Sequence, residues 1–249
     1  MKPAFLSTIS LLALISAYTA HGHDTAATSS QSTGASTKVL VYSNTAYYRY
    51  PDIPAINRWL VLLGLEHGIE VDITGHAKDL LPNVLKKYDV LLVNNANQLG
   101  DLIAKEQQEA VPARFATGKG IVGVYAALVK QDGWPWLMEL GGCDFNSDSD
   151  FLTAKVSIDP SAKDHPAVKG QPAEFWIEAD WTNHTRAVTR QPGFQVLLLV
   201  DETTYEPVRD YLKTRSGKAM GADHPIAWTH EPRTGGRFFY TGSATICAL

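Results

Sequence analysis

Asp89-Val90-Leu91-Leu92-Val93-Asn94 has no polar residue between its ends, and this stretch decides how the rest of the chain is read. A strand that is apolar at every inner position leaves no face for water. Helices must then cover both sides, which is the setting of a parallel sheet. Upstream, Lys38–Tyr42 and Glu70–Thr74 read as two further strands with a helix, Pro54–His67, between them. In that helix Ile56, Leu60 and Leu63, with residues around Leu65, recur at helical spacing, and Gly64 and Gly68 punctuate its end. Leu80–Tyr88 reads as a short helix before the deciding strand. Ala104–Thr117 reads as the next, closed by Gly118-Lys119-Gly120, and Gly120–Tyr125 as the fourth strand. Alternation of this kind predicts an α/β fold with a right-handed, doubly wound, mainly parallel sheet. Later strands are expected at Thr153–Ile158, Glu174–Glu178, Gln195–Asp201, Pro225–Thr229 and Arg237–Thr241. Long helices do not separate them, so the second half should add antiparallel strands. No repeat or linker interrupts residues 38–249, which read as a single domain.

Composition sets the outer limits. The chain has 249 residues, a length that suits one large α/β core, since single cores stop growing beyond roughly 250–300 residues. Charged residues make up 19% and aromatics are spread throughout, which excludes wholesale disorder. There are 22 basic and 26 acidic side chains, for a net charge of −4, and no cluster of Lys and Arg, so a nucleic-acid partner held by a basic face is not expected. Met1-Lys2-Pro3 followed by the apolar and small residues Ala4–Ala20 reads as a secretory signal cleaved after Gly22, because a membrane span needs about 20 apolar residues. An uncleaved anchor is the alternative. His23–Thr37 reads as a flexible leader, and no other stretch is long enough to insert in a membrane after cleavage. The expected location is secreted or periplasmic. Cys143 and Cys247 could form one disulfide or remain two idle thiols, and both readings stand.

In open α/β sheets the ligand lies beyond the carboxyl ends of the strands. That rule selects Ser43–Pro51, Asn94–Asn97, Tyr125–Trp134 and the loops after Ile177 and Tyr240. Gly123-Val124-Tyr125-Ala126-Ala127 has the strand-to-turn shape of a nucleophile elbow but neither Ser nor Cys at its apex, so Cys-dependent amidotransferase chemistry is excluded. No Gly-x-Gly-x-x-Gly follows the first strand and no Walker sequence occurs, so no cofactor is expected. The eight histidines include no His-x-x-x-His pair, so no metal is expected either, and His165 and His224, each between Asp and Pro, read as turn residues. Asn146–Asp150 resembles a calcium loop in composition but lacks the central Gly and final Glu, so it reads as a solvated loop.

Phe175–His184 is more informative, with two acids, two Trp, an amide and an imidazole in ten residues. Carboxylates beside aromatic rings suit carbohydrate, the acid moving protons while rings cover sugar faces. A small-molecule or oligosaccharide ligand is the expected partner.

Several pieces in order resemble the ThuA-like (trehalose-utilisation) family, whose fold is similar to class I glutamine amidotransferases. They are Tyr48-Arg49-Tyr50-Pro51-Asp52-Ile53, Tyr88-Asp89-Val90, Gly118–Tyr125, Leu140-Gly141-Gly142-Cys143-Asp144-Phe145, Asp164–Gly170, Pro225-Ile226-Ala227-Trp228 and Gly236-Arg237-Phe238-Phe239-Tyr240. The resemblance implies a three-layer, flavodoxin-like α/β domain acting on or near carbohydrate. It also implies departures. The family's histidines fall on Tyr50, Tyr125 and Asp148, its terminal Gly-His on Ala244 and Thr245, and its Asp-Glu-x-Tyr piece on Ala179-Asp180-Trp181-Thr182. Two readings follow. In the first the protein is a carbohydrate-active enzyme with Asp180 as general base or acid, and with Tyr125, Tyr50 and His184 orienting the substrate. Asp148, Trp181, Trp134, Trp176 and Asn183 bind it. In the second it is a non-catalytic sugar-binding relative that kept the fold and lost the histidines.

Overall fold

The computed structural model describes residues 36–189 and 191–243. The signal and nearly all of the leader, Ala244, Thr245 and Cys247 lie outside the described residues. Nine strands among those described join one sheet: β1 (Lys38–Tyr42), β2 (Glu70–Thr74), β3 (Val90–Asn94), β4 (Gly120–Val124), β5 (Phe145–Ile158), β6 (Glu174–His184), β7 (Phe194–Val200), β8 (Pro225–His230) and β9 (Arg237–Thr241). Their order is β2-β1-β3-β4-β9-β8-β7-β5-β6. The first five strands in that order run parallel, and each of the last four is antiparallel to the strand before it. The expected α/β architecture is the one observed, with the antiparallel half as extensive as the parallel one.

β1, β3 and β4 carry unbroken apolar runs because both faces are covered. Val39, Val41, Val90, Leu92, Val122 and Val124 pack with Ile56, Leu60 and Leu63 of helix α1 (Ile53–His67). Their neighbours Leu40, Tyr42, Leu91, Val93 and Ile121 point the other way. They meet Leu85 of α2 (Pro82–Leu85), Ala110, Val111 and Phe115 of α3 (Lys105–Phe115), and Leu137 and Leu140 of α4 (Pro135–Gly141). Leu65 lies off the buried stripe of α1 and faces water. Gly68, with φ +68°, ends that helix, whereas Gly64 lies inside it. A Cβ on Gly64 would stand 2.6 Å from the Ile69 carbonyl oxygen and 2.7 Å from Val71 Cγ2, so its lack of a side chain lets α1 approach β2.

Three differences from the sequence reading have local causes. Leu80–Tyr88 is not one helix: a 3-10 turn ends at Leu80, Leu81 is extended, and α2 begins at Pro82. The residue before a proline avoids the helical region, so Pro82 splits the segment. Asn146–Asp150 is not a solvated loop, because it lies within β5 with Ser147 and Ser149 buried. Residues 179–184 continue β6 rather than forming a loop after it. β5 was read short because two bulges in it, between Phe145 and Ser147 and between Asp148 and Phe151, break the period-two pattern, and β6 because its last residues Thr182, Asn183 and His184 are polar although buried. Cys143 is a buried free thiol, raised well above the usual range by desolvation. No helix among the described residues is long and apolar enough to cross a membrane.

Candidate active site

Tyr125 follows β4 directly and opens a 3-10 turn, with its backbone at φ +49°. A bulky residue in the left-handed region costs on the order of 1–3 kcal/mol and persists only where its surroundings impose it. Here the Tyr240 hydroxyl donates to the Tyr125 carbonyl at 2.8 Å, while the amide of Asn95, itself at φ +55°, donates to the Val124 carbonyl at 3.1 Å. The elbow shape read from the sequence is therefore present, and a phenol stands at its apex.

Asp180 reaches this phenol from β6, five places away in the sheet. β5 pairs with β7 only over Val156–Ile158, and the rest of the β5–β6 ribbon continues beyond that pairing. The ribbon brings Asp180 back to β4, where the Tyr125 hydroxyl donates to Asp180 Oδ2. Tyr50, from the loop after β1, stands edge-on to Tyr125 with ring centroids 5.0 Å apart. Burial first, and then the negative charge of Asp180, push both phenols above the ordinary tyrosine range, so they act as donors.

Asp148 sits at the second β5 bulge. Its carboxylate lies 2.9 Å from Arg209 Nε, and its carbonyl accepts from the Arg209 amide at 3.0 Å. The guanidinium also donates through Nε to the Ser149 carbonyl at 3.0 Å, so one arginine holds the whole bulge. Burial pushes the Asp148 carboxyl up to about 6. Arg209 opposes the shift, and the charges of Asp180 and Asp150 add to it. Asp52, at the start of α1, is likewise raised by burial and by Asp180, against a hydrogen bond from its own backbone. The result is three carboxylates and two phenols in one electrostatic field with Arg209 beside them. Among the described residues no three His, Cys, Asp or Glu side chains are grouped to hold a metal ion.

β1 and β3 are paired neighbours whose connections leave toward opposite edges of the sheet, to β2 and to β4, and it is beyond the strand ends at such a switch point that α/β folds bind ligands. An amide chain runs there from the end of β3 to the segment after β1. Asn95 donates to Asn94 at 2.9 Å, Asn94 to Asn57 at 2.9 Å, and Asn57 to the Ser43 hydroxyl at 3.0 Å.

The other sequence candidates are placed differently. His184 is buried edge-on against Trp228 and Tyr240, and burial drives its ring down to about 3, so it is a neutral wall residue rather than a proton carrier near pH 7. Asn183 is buried and donates to Ser147 Oγ at 3.1 Å and to the Pro207 carbonyl at 2.7 Å, which binds β6 to its neighbours. The three tryptophans share no wall. Trp181 is in the core on the α1 side and donates to the Leu152 carbonyl, Trp134 is in the opposite core beside Trp136, and Trp176 is 60% exposed. Residues with β-strand alternation bury every second ring, and distance in sequence did not reveal which core received each. His224 is no mere turn residue: fully buried, it places Nε2 2.9 Å from the Thr182 carbonyl and Nδ1 2.8 Å from Glu202, pinning β6 beside Asp180. Arg209 and Asp52 were missed as site residues. Arg209 carries no local signal, whereas Asp52 lies in the loop after β1 to which the strand-end rule already pointed.

Residues 38–243 match the family model described as ThuA, trehalose utilisation. Among solved structures, a ThuA-like protein from Bacteroides uniformis ATCC 8492 is 20% identical with a TM-score of 0.68, covering 88% of this chain and 86% of that one. A second from Parabacteroides merdae ATCC 43184 is 16% identical with a TM-score of 0.61, covering 84% of this chain and 79% of that one. A cytoplasmic protein of Salmonella typhimurium LT2 is 12% identical with a TM-score of 0.53, covering 83% of this chain and 88% of that one. No curated protein matches the chain. At these identities the structures speak for the fold, while the family match spans nearly every described residue: the chain belongs to the ThuA, or trehalose-utilisation, family.

Proposed function

We propose that this protein is a secreted or periplasmic carbohydrate-active enzyme in which Asp180 and Asp148 move protons at a sugar. The observation that carries the reading is the hydrogen bond from Tyr125, at the β4 elbow, to Asp180 Oδ2. It fixes the carboxylate and leaves Oδ1 as the atom that takes a proton from a sugar hydroxyl or from water. Asp148, raised to about 6, holds a proton closer to neutral pH than an ordinary carboxyl does and can return it. Tyr50, kept protonated by burial, donates to a sugar oxygen, while Tyr125, whose one proton goes to Asp180, accepts from a sugar hydroxyl. His184 and the three tryptophans have no direct part in this scheme. The family's description, trehalose utilisation, supports carbohydrate as the substrate class, and the apolar stretch Ala4–Ala20 supports export.

The test compares wild type, Asp180→Asn and Tyr125→Phe on one panel of trehalose, other disaccharides, keto-sugars and uronates. General acid–base catalysis contributes roughly 10²- to 10⁴-fold, so Asp180→Asn should lose about 100-fold or more of turnover while still binding sugar. Tyr125→Phe should lose less. Unchanged turnover in Asp180→Asn removes Asp180 from the mechanism.

A further inference from the structure

Tyr47 and Tyr48 stand in solvent at the edge of the Tyr50–Tyr125 cluster, 74% and 53% exposed, on a loop that is firmly tied. The Tyr47 amide donates to Asn97 Oδ1 at 3.2 Å, and Asn97 Nδ2 donates to the Tyr48 carbonyl at 2.7 Å. On either side, the Ala46 amide donates to the Asn97 carbonyl at 3.3 Å and the Arg49 guanidinium to the Ser43 carbonyl at 2.9 Å. Asn97 is itself buried, so the loop is bolted to the segment after β3. The Tyr48 ring is edge-on to Tyr50 at 4.8 Å, and Tyr50 is edge-on to Tyr125 at 5.0 Å. Lys130 Nζ lies 5.0 Å from the centre of the Tyr47 ring. A loop with this many anchors could turn its rings inward, and exposed aromatic surface is unfavourable unless something covers it.

We infer that Tyr47 and Tyr48, with Lys130, form an outer subsite for the second ring of a disaccharide or longer saccharide whose first ring lies at Tyr125 and Asp180. The inference rests on the carbohydrate reading above and extends it to substrate length. The apolar C–H face of a pyranose packs on the Tyr48 ring, and Lys130 donates to hydroxyls of the same sugar. The rings from Tyr48 to Tyr125 are continuous, two ring contacts long, which is a path from the acidic centre to solvent and not a separate patch. Tyrosine gives such a platform at low entropic cost, since only two side-chain torsions need be held.

The experiment measures equilibrium binding of trehalose, maltose and glucose to wild type, Tyr48→Ala, Tyr48→Phe and Tyr47→Ala. Tyr48→Ala, which removes the ring a sugar face packs on, should lose roughly 10-fold in disaccharide affinity. Glucose affinity should change less than about 2-fold, Tyr48→Phe should match wild type because the ring face is kept, and Tyr47→Ala, whose ring supports no neighbour in the core, should repeat the disaccharide-selective loss. Equal weakening of glucose and disaccharides, or no change in any variant, overturns the subsite alone. Absence of sugar binding by wild type overturns both the subsite and the carbohydrate reading on which it rests.

Discussion

Tyr125 shows how one position can keep a shape while its chemistry changes. A side chain at the apex of a strand-to-turn elbow is presented beyond the strand ends whatever its type, but burial raises this phenol, so it donates a hydrogen bond to Asp180 where an ionised nucleophile would attack. Asp148 is the neighbouring group whose state changes near physiological pH. Its carboxyl holds a proton up to about 6 in the fold, against 3.8 when unperturbed. A raised carboxyl stabilises the fold fully below its unfolded value, and that contribution is lost as pH rises through the folded one. The melting temperature of wild type should therefore fall relative to Asp148→Asn, which cannot titrate, as pH goes from 4 to 7. Parallel curves across that range would contradict the shift. Tyr125 and Tyr50 could be named from sequence because each lies in the segment after the carboxyl end of a strand, and Asp180 from the run of acids and aromatic rings around it, although it lies inside β6. Arg209 was not: it lies between β7 and β8, and only the folded chain brings it to Asp148.

At the scale of elements, the parallel half was legible because β1, β3 and β4 carry the unbroken apolar runs Val39–Tyr42, Val90–Val93 and Gly120–Val124, and helix α1 repeats Ile56, Leu60 and Leu63 on one face. The β5–β6 ribbon was harder. Ser147, Asp148, Ser149 and Asp150 are polar, as loop residues are, yet they belong to a strand whose bulge is clasped by Arg209. A bulge conceals alternation and also aims side chains, so the feature that hid the strand is the one that presents Asp148. Gly64 gives a direct test of element packing. Replacing it with Ala sets a Cβ against the backbone that leads into β2, and overpacking of this kind costs about 1–3 kcal/mol. Urea unfolding should show a loss in that range for Gly64→Ala. A variant as stable as wild type would mean that α1 can draw back from β2 freely.

For the whole molecule, the sheet divides the work. Its parallel half supplies the switch point at β1 and β3 and the elbow after β4, and its antiparallel half folds a carboxylate-bearing ribbon back to that elbow. The order of strands and helices announced the first half, while the path of the second became visible only in the structure, because antiparallel neighbours four and five strands away leave no periodic trace in sequence. The three tryptophans illustrate the same limit, since a ten-residue cluster containing two of them was dispersed between a core and open solvent. The central claim is the proposal that this fold performs chemistry on sugars through Asp180 and Asp148, with Tyr50 and Tyr125 beside them. Proton NMR of the protein mixed with trehalose, other disaccharides, keto-sugars and uronates tests it most directly, because saturation transfer reports binding and new resonances report turnover in one sample. The expected result is saturation transfer to a disaccharide together with product resonances. Saturation transfer with no product after prolonged incubation would contradict catalysis and leave a sugar-binding protein, and silence in both would contradict the carbohydrate assignment itself.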